Sequence, residues 1–423
     1  MHTGIGAVAG SVGREYTARG GGWTIVGTVL DWLGSIASLG FIATSAFLVL
    51  AGYALVVTNI DPRTSALRKS PTDFWRSRLL RFFPLLLLTQ LLRVPQLLLS
   101  SPDRGWLDLA GSISVNLVGL QAWFPSWVWD LNDPSWTLGV LFSCWAAFPW
   151  IGPRIARLSP RAALGLLLAS LACSLSIAFA FDVLHGPVDL NAHVPDFWRS
   201  FVHTHPLVRA PEVLSGMLLA RVHRGYAPQI ARHAPLLLTG GVVTLVLACL
   251  GHNGVVPYIY LHNGVVLPIA WSIYLGLTEY GAAQGRARAS HGAFSIADHF
   301  GRGLAGWLGG PAMQRAGRAS FSFYLLHAVP IAGLIMARNA AAGRPLTFRN
   351  GPLGPSPLVE LALPILYLLA AAAVSIRFHE QLLVPMTTRL DRWLPRRSAR
   401  RVPDVGGAER RPARTTGQVV AIA

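Results

Sequence analysis

The sequence predicts an all-α protein, a polytopic bundle of transmembrane helices, and three observations predict it. Hydrophobic residues make up 52% of the 423-residue chain and charged residues only 13%, with a mean hydropathy of +0.45. A soluble chain carries roughly twice that share of charge. The apolar residues gather into uncharged runs close to the ~20 residues that cross a bilayer as a helix, as at 33–57, 162–181 and 319–337. The arginines fall mostly between those runs.

About nine crossings are expected, near 33–57, 82–100, 136–152, 162–181, 207–222, 234–251, 255–277, 319–337 and 357–376. The segments between them differ in charge. Those at 61–81, 153–161, 221–233 and 278–318, with the tail from Arg377, hold about 27 of the 36 basic residues. That is the bias of cytoplasmic loops. Segments 101–135 and 184–206 are poor in arginine, carry six aspartates from Asp103 to Asp196 with Asp182 just before the second, and read as external. Residues 109–129 lack charge, but Ser112, Ser114, Asn116 and Gln121 make them polar for hydrocarbon. They read as an interfacial or re-entrant element, because a crossing there would throw Arg154, Arg157 and Arg161 outside. The expectation is a bacterial inner-membrane protein with residues 1–376 embedded and 377–423 forming a cytoplasmic basic tail. That tail should be disordered after about residue 395 and touch anionic lipid. No signal peptide precedes the first run.

The net charge of +17 raises the question of a nucleic-acid partner. Such a site gathers its basic residues on a soluble surface with aromatics between them. Here they punctuate apolar runs, so no nucleic-acid partner is expected. Cys144, Cys173 and Cys249 lie in separate runs without metal-ligand spacing, and no metal is expected.

Ionisable groups inside apolar runs are costly, by about 2.5–3.5 kcal/mol or more, and become functional candidates. Arg93 interrupts the second run, with a snorkelling position at the outer interface as its plainest role. Arg209 and Glu212 are three residues apart, on one helix face, and are placed either as an intrahelical pair or in a substrate path. His262 with Asn263 reads as packing or as part of an external mouth. His327 ends the aromatic stretch from Phe321 to Tyr324 and stands alone in its run. It is either a satisfied structural histidine or a reactive one. Arg76, Arg78 and Arg81 stand just before Phe82-Phe83-Pro84, with Arg78 and Arg81 on one face. Two such guanidinium forks suit phosphate or pyrophosphate oxygens, the alternative being topological anchoring.

Six segments, in order, resemble the membrane-bound acyltransferase-3 family. Gly40-Phe41-Ile42 through Gly52-Tyr53 is similar to its "FFVLSG" helix. Phe74-Trp75-Arg76-Ser77-Arg78-Leu79-Leu80-Arg81 is similar to its Arg-x-x-Arg segment. Ser135-Trp136-Thr137-Leu138 and Phe148-Pro149 frame its "WSLSVEEQFYLLFP" helix. Arg209-Ala210-Pro211-Glu212 through Gly216-Met217 resembles "R-x-PEFLLGM", Ser320 to His327 resembles "SYSLYLWH", and His379-Glu380 resembles the closing "E-x-P" region.

The resemblance implies a ten-helix bacterial O-acyltransferase. It would move an acyl group from cytoplasmic acyl-CoA, a co-substrate rather than a bound cofactor, to a hydroxyl of a polysaccharide, glycolipid or other acceptor. The family's first helix carries Arg-x10-His. His2 stands where that histidine falls; the helix and arginine expected ahead of it are absent from the sequence and would make the tenth crossing. The implied roles are His2 as base, His327 as a second imidazole, Arg78 and Arg81 on the CoA phosphates, and Arg209 with Glu212 along the substrate path. The chain departs from the pattern at Leu141 and Phe142, where the family has adjacent glutamates. That departure keeps a second class open, a catalytically degenerate relative or a transporter of a small polar or lipid-linked substrate.

Overall fold

The computed structural model describes residues 40–185, 196–251, 258–284, 296–341 and 357–393. Among the described residues the regular structure is helical, with a lone bridging pair between Ile60 and Leu67. The helices are α1 (Gly40–Asn59), α2 (Pro71–Ser100), α3 (Trp106–Leu117), α4 (Trp136–Arg157), α5 (Pro160–His185), α6 (Asp196–Thr204), α7 (Pro206–Gly225) and α8 (Ala227–Gly251). Then come α9 (Val266–Gln284), entered through a π-turn at Leu261–Val265, α10 (Ile296–Leu308), α11 (Pro311–Leu326), α12 (Ala328–Ala341) and α13 (Pro357–Phe378). A second π-turn, His379–Leu383, leads α13 into α14 (Val384–Trp393) without a break in the helical backbone.

Five stretches of the described chain are long and apolar enough to cross a membrane: Ile42–Asn59, Pro71–Ser100, Pro160–His185, Ala227–Ala248 and Leu261–Ala282. This is a helical membrane protein. Two of the other expected crossings fall short for visible reasons. α7 carries Arg209, Glu212, Arg221 and Arg224, and the run at 319–337 is broken at His327 into α11 and α12, of 16 and 14 residues. α3, which overlaps 109–129, has 12 residues and so spans only about 18 Å, too short to cross.

α2 begins eleven residues before the expected run, at Pro71. Ser70 caps it by accepting from the Asp73 amide at 3.1 Å, and proline at the first helical position needs no donor. Arg76, Arg78 and Arg81 therefore lie in its first three turns rather than in a loop. The core forms where α1 crosses α7. A methyl group on Gly52 would overlap the Val213 carbonyl, and one on Gly216 the Val49 carbonyl. Only glycine lets the two backbones approach so closely, the small-residue packing of helices in lipid. Leucines outside the core remain exposed, among them Leu91, Leu92, Leu98 and Leu99 on α2, and Leu166 and Leu168 on α5. In hydrocarbon such faces carry no hydrophobic penalty.

The two ends of the bundle differ. At one end Ser65 Oγ donates to the Ala156 carbonyl at 3.5 Å and Arg221 Nε to the Leu158 carbonyl at 2.8 Å, and Arg224 reaches the Pro62 carbonyl. Arg76 Nη2 donates to the Asp391 carbonyl at 2.7 Å and sits 3.1 Å from its carboxylate. The basic segments expected on one side of the membrane thus meet at one end. At the other end Trp129 Nε1 donates to Ser200 Oγ at 2.8 Å, joining the two aspartate-bearing segments.

Candidate active site

Between α1, α2, α4 and α11 lies a cavity of about 520 Å³ that runs along the bundle. One end is guanidinium-rich, with Arg78, Arg81 and Arg318; the other holds Thr137, Tyr324 and His327. The middle wall is apolar, from Phe47, Leu50, Leu138, Leu141 and Phe321. Arg318 and His327 are nine residues apart on one helical path, which places them about 14 Å apart along the axis. On α4 the order is opposite: Trp145 stands at the arginine end and Thr137 at the histidine end.

Each end has an identifiable construction. Arg78 and Arg81, at helical spacing, share one face of α2. Arg78 lies over the rings of Phe74 (5.5 Å) and Trp145 (5.7 Å), and Arg81 over Phe82 (5.2 Å), which aims both guanidinium groups along aromatic faces. Arg76, two residues before Arg78 and so turned well away from that face, is paired with Asp391.

At the far end, His327 caps α11 and is 7% exposed. Its Nδ1–H donates to the Phe323 carbonyl at 3.1 Å. A carbonyl only accepts, so in the neutral ring the lone pair belongs to Nε2, the tautomer a base requires. The Tyr367 hydroxyl holds the His327 carbonyl at 2.5 Å.

A strap at residues 131–137 fixes this end further. Tyr324 OH donates to the Pro134 carbonyl (2.8 Å), Thr137 Oγ1 lies 3.1 Å from the Tyr324 hydroxyl, and Asn132 Nδ2 donates to the Leu325 carbonyl (3.0 Å). Arg93 corrects the snorkelling expectation. It is 1% exposed and turned inward, donating from Nε to the Leu131 carbonyl at 2.9 Å and from Nη1 to Gln96 at 2.7 Å. Nη2 lies 3.6 Å from Asp133. The interior offers Arg93 oxygens at hydrogen-bond distance, and a long side chain takes those in place of the interface.

Arg209 and Glu212, expected along a substrate path, do not line this cavity. They form an ion pair of 2.7 Å at 0% and 1% exposure. Arg209 also donates to Ser45 Oγ (2.7 Å) and Asn263 Oδ1 (3.1 Å), and its guanidinium lies over Trp136 at 5.8 Å. Ser45 and Trp136 are the neighbours of the cavity residues Thr44 and Thr137, so the pair sits one layer behind the wall. His262 joins it from the π-turn, stacked on His203 at 4.4 Å. His2 lies outside the described residues. Leu141, where an acid was expected by resemblance, is an apolar wall residue, and Phe142 packs against Trp145 at 5.4 Å between centroids. Among the described residues no cluster of His, Cys, Asp or Glu could hold a metal.

Sequence reasoning did not single out Arg318, Thr137, Tyr324 and Trp145. The signal for Arg318 was present, a cation two residues before the Ser320–His327 stretch. A membrane-embedded helical protein whose cavity joins guanidinium groups to an imidazole has the parts of a group-transfer enzyme. Residues 7–377 match the acyltransferase-3 family, described as an acyltransferase domain, and the chain belongs to that family. It is an acyltransferase of groups other than aminoacyl groups. It is similar to the acyltransferase MdmB of Streptomyces mycarofaciens, with 26% identity over 302 residues, 69% of this chain and 68% of the relative. No solved structure matches the chain.

Proposed function

We propose that this protein moves an acyl group from acyl-CoA, arriving from the cytoplasm, to a hydroxyl of a polysaccharide, glycolipid or other acceptor reaching the opposite end. The observation that carries the reading is the single cavity with Arg78 and Arg81 at one end and His327 at the other. Phosphate oxygens suit the guanidinium forks, and the uncharged pantetheine arm suits the apolar middle. The thioester then lies near the imidazole end. The acceptor hydroxyl gives its proton to a histidine as its oxygen attacks the thioester carbonyl. The C–S bond breaks, and the CoA thiolate takes the proton back from the imidazolium. His2 keeps the role of base implied by the family, and His327 orients the acceptor or the acyl carbonyl through Nε2. Arg209 with Glu212 holds Ser45 and Asn263 together, and so supports the wall that the path follows.

The protein sits in the bacterial inner membrane with the basic end and C-terminus in the cytoplasm. The positive-inside bias supports that orientation. A degenerate relative or a transporter is the competing reading; the apolar Leu141 and Phe142 favour the degenerate case, and the Arg-x-x-Arg segment and His327 favour the enzyme.

Inside-out vesicles given acetyl-CoA and candidate hydroxyl acceptors separate the two. Acceptor-dependent release of free CoA, abolished in His2→Ala and His327→Ala, is expected. Acceptor flux without thioester cleavage overturns the enzyme reading, and unchanged transfer in His2→Ala removes His2 from the mechanism.

A further inference from the structure

Three polar side chains of α2, Gln90, Arg93 and Gln96, follow one another at three-residue spacing in a largely apolar stretch. Gln90 is 0% exposed. An amide in that setting costs free energy unless its oxygen and its nitrogen are both hydrogen-bonded. Both are, and both partners belong to the strap. Gln90 Oε1 accepts from the Asn132 amide at 2.9 Å, and Gln90 Nε2 donates to Ser135 Oγ at 2.9 Å.

Ser135 is the centre of a buried node. Its hydroxyl donates to the Asn132 carbonyl at 2.5 Å and accepts from Gln121 Nε2 at 2.9 Å. Gln121 Nε2 also reaches the Ser135 carbonyl at 2.8 Å. Gln121, Asn132 and Ser135 are as fully buried as Gln90. On its other side the same strap grips α11: Asn132 donates to the Leu325 carbonyl at 3.0 Å, and the Pro134 carbonyl accepts from Tyr324 OH at 2.8 Å. Gln90 is nine residues beyond Arg81 on α2, and His327 nine beyond Arg318 on α11. Each interval rises about 14 Å from the arginine end. The strap therefore bridges the two helices at one level, the far end of the cavity.

We infer that Gln90 is a positioning residue for acyl transfer, acting through Ser135 and the strap on Thr137, Tyr324 and His327. The inference rests on the transfer taking place at the imidazole end. A glutamine in lipid commonly bonds across to a neighbouring helix; both bonds of Gln90 go to the strap instead. Arg93, one turn further on, holds the Leu131 carbonyl at 2.9 Å, and so takes the start of the strap where Gln90 takes its middle. The helix that presents Arg78 and Arg81 thus also sets the height of the groups around His327. Loss of such a support misplaces reacting groups by about an ångström, which costs rate more than binding.

The test compares three variants of the full chain in nanodiscs, with acetyl-CoA and the acceptor that the vesicle assay selects. Gln90→Met keeps the side-chain length and loses both bonds. Ser135→Ala, the milder change, removes the hydroxyl between Gln90 and Gln121. Thr89→Val is the control: it removes a buried hydrogen bond of the same helix, from Thr89 Oγ1 to the Leu86 carbonyl at 3.0 Å, that does not reach the strap. Gln90→Met and Ser135→Ala should lower kcat roughly tenfold to a hundredfold and change KM for acetyl-CoA less than about threefold. Thr89→Val should leave both near wild type. A KM that rises as kcat falls, or an equal loss in Thr89→Val, assigns Gln90 to general stability and overturns the inference.

A second readout needs neither donor nor acceptor. Diethyl pyrocarbonate modifies imidazole nitrogen, and its reaction at His327 is followed by mass spectrometry. His327 is 7% exposed, so loosening the strap in Gln90→Met should speed the modification about fivefold or more, with Thr89→Val unchanged. A faster reaction at His327 with no transfer by the wild type leaves the positioning role standing and removes only the proposed function. An unchanged rate at His327 in both Gln90→Met and Ser135→Ala overturns the inference.

Discussion

The pair behind the cavity wall gives the sharpest stability experiment. Glu212→Gln keeps the shape of the side chain and removes its charge, leaving the Arg209 guanidinium 0% exposed without a carboxylate. Losing one partner of a buried ion pair costs about 3–5 kcal/mol, because the remaining charge is desolvated and uncompensated. Ser45 Oγ at 2.7 Å and Asn263 Oδ1 at 3.1 Å stay on the guanidinium, which favours the lower end of that range. Replacing both partners, as Arg209→Met with Glu212→Gln, removes the stranded charge and should recover most of the loss. Unfolding free energies come from titrating mixed micelles with a denaturing detergent, followed by tryptophan fluorescence. A Glu212→Gln cost below about 1 kcal/mol, or a double variant no better than the single one, would refute the placement of a charged pair in a dry layer.

Three other outcomes follow from the packing. Gly216→Ala drives a methyl group into the Val49 carbonyl. Because backbone rather than a flexible side chain must give way, the cost should exceed the usual ~1–3 kcal/mol of overpacking, read as loss of monodisperse protein on size-exclusion chromatography. Arg315 and Glu380 pair at 2.6 Å at 56% and 38% exposure. Arg315 holds the Glu380 carboxyl below its usual range, so any contribution is present at neutral pH and lost as pH falls through that lowered value; Arg315→Gln should leave the melting temperature at neutral pH unmoved. Leu141→Ala opens the middle of the cavity at a cost of about 2–5 kcal/mol, and should shift donor preference in a competition assay from acetyl-CoA towards longer acyl-CoA thioesters.

How much of this was legible depends on the range of the interaction that decides each feature. Apolar runs and arginine spacing are local, and they located α4, α5, α7 and α13 to within about five residues at each end. The start of α2 was missed because the sequence was read for hydropathy. The capping signal of Ser70, Pro71 and Asp73 lay in plain view eleven residues earlier. Arg78 and Arg81 were legible as a same-face pair, because i and i+3 on a helix need no tertiary knowledge. Arg93 was misplaced for the opposite reason. Its partners, Leu131 and Asp133, lie nearly forty residues away, and nothing local distinguishes an arginine that reaches outward from one that folds in.

The same distinction separates the two halves of the site. His327 could be suspected as a lone imidazole in an apolar run, yet the tautomer that makes it useful is set by the Phe323 carbonyl, and its placement by a strap from another helix. The strap is also where the departure at Leu141 and Phe142 gains a physical reading. A carboxylate at 141 would stand in the apolar middle, between Arg78 and His327, and would compete with phosphate for the guanidinium groups. With leucine there, the positive end stays directed at an incoming anion, and polarity at the far end comes from Thr137, Tyr324 and the strap's backbone carbonyls. The proposed transfer from a thioester needs a base and a path for the thiolate's proton, both of which an imidazole supplies. An acid at 141 is therefore dispensable to the proposed chemistry only if the neutral groups around His327 suffice to orient it. That places the question of activity in this chain on residues 131–137.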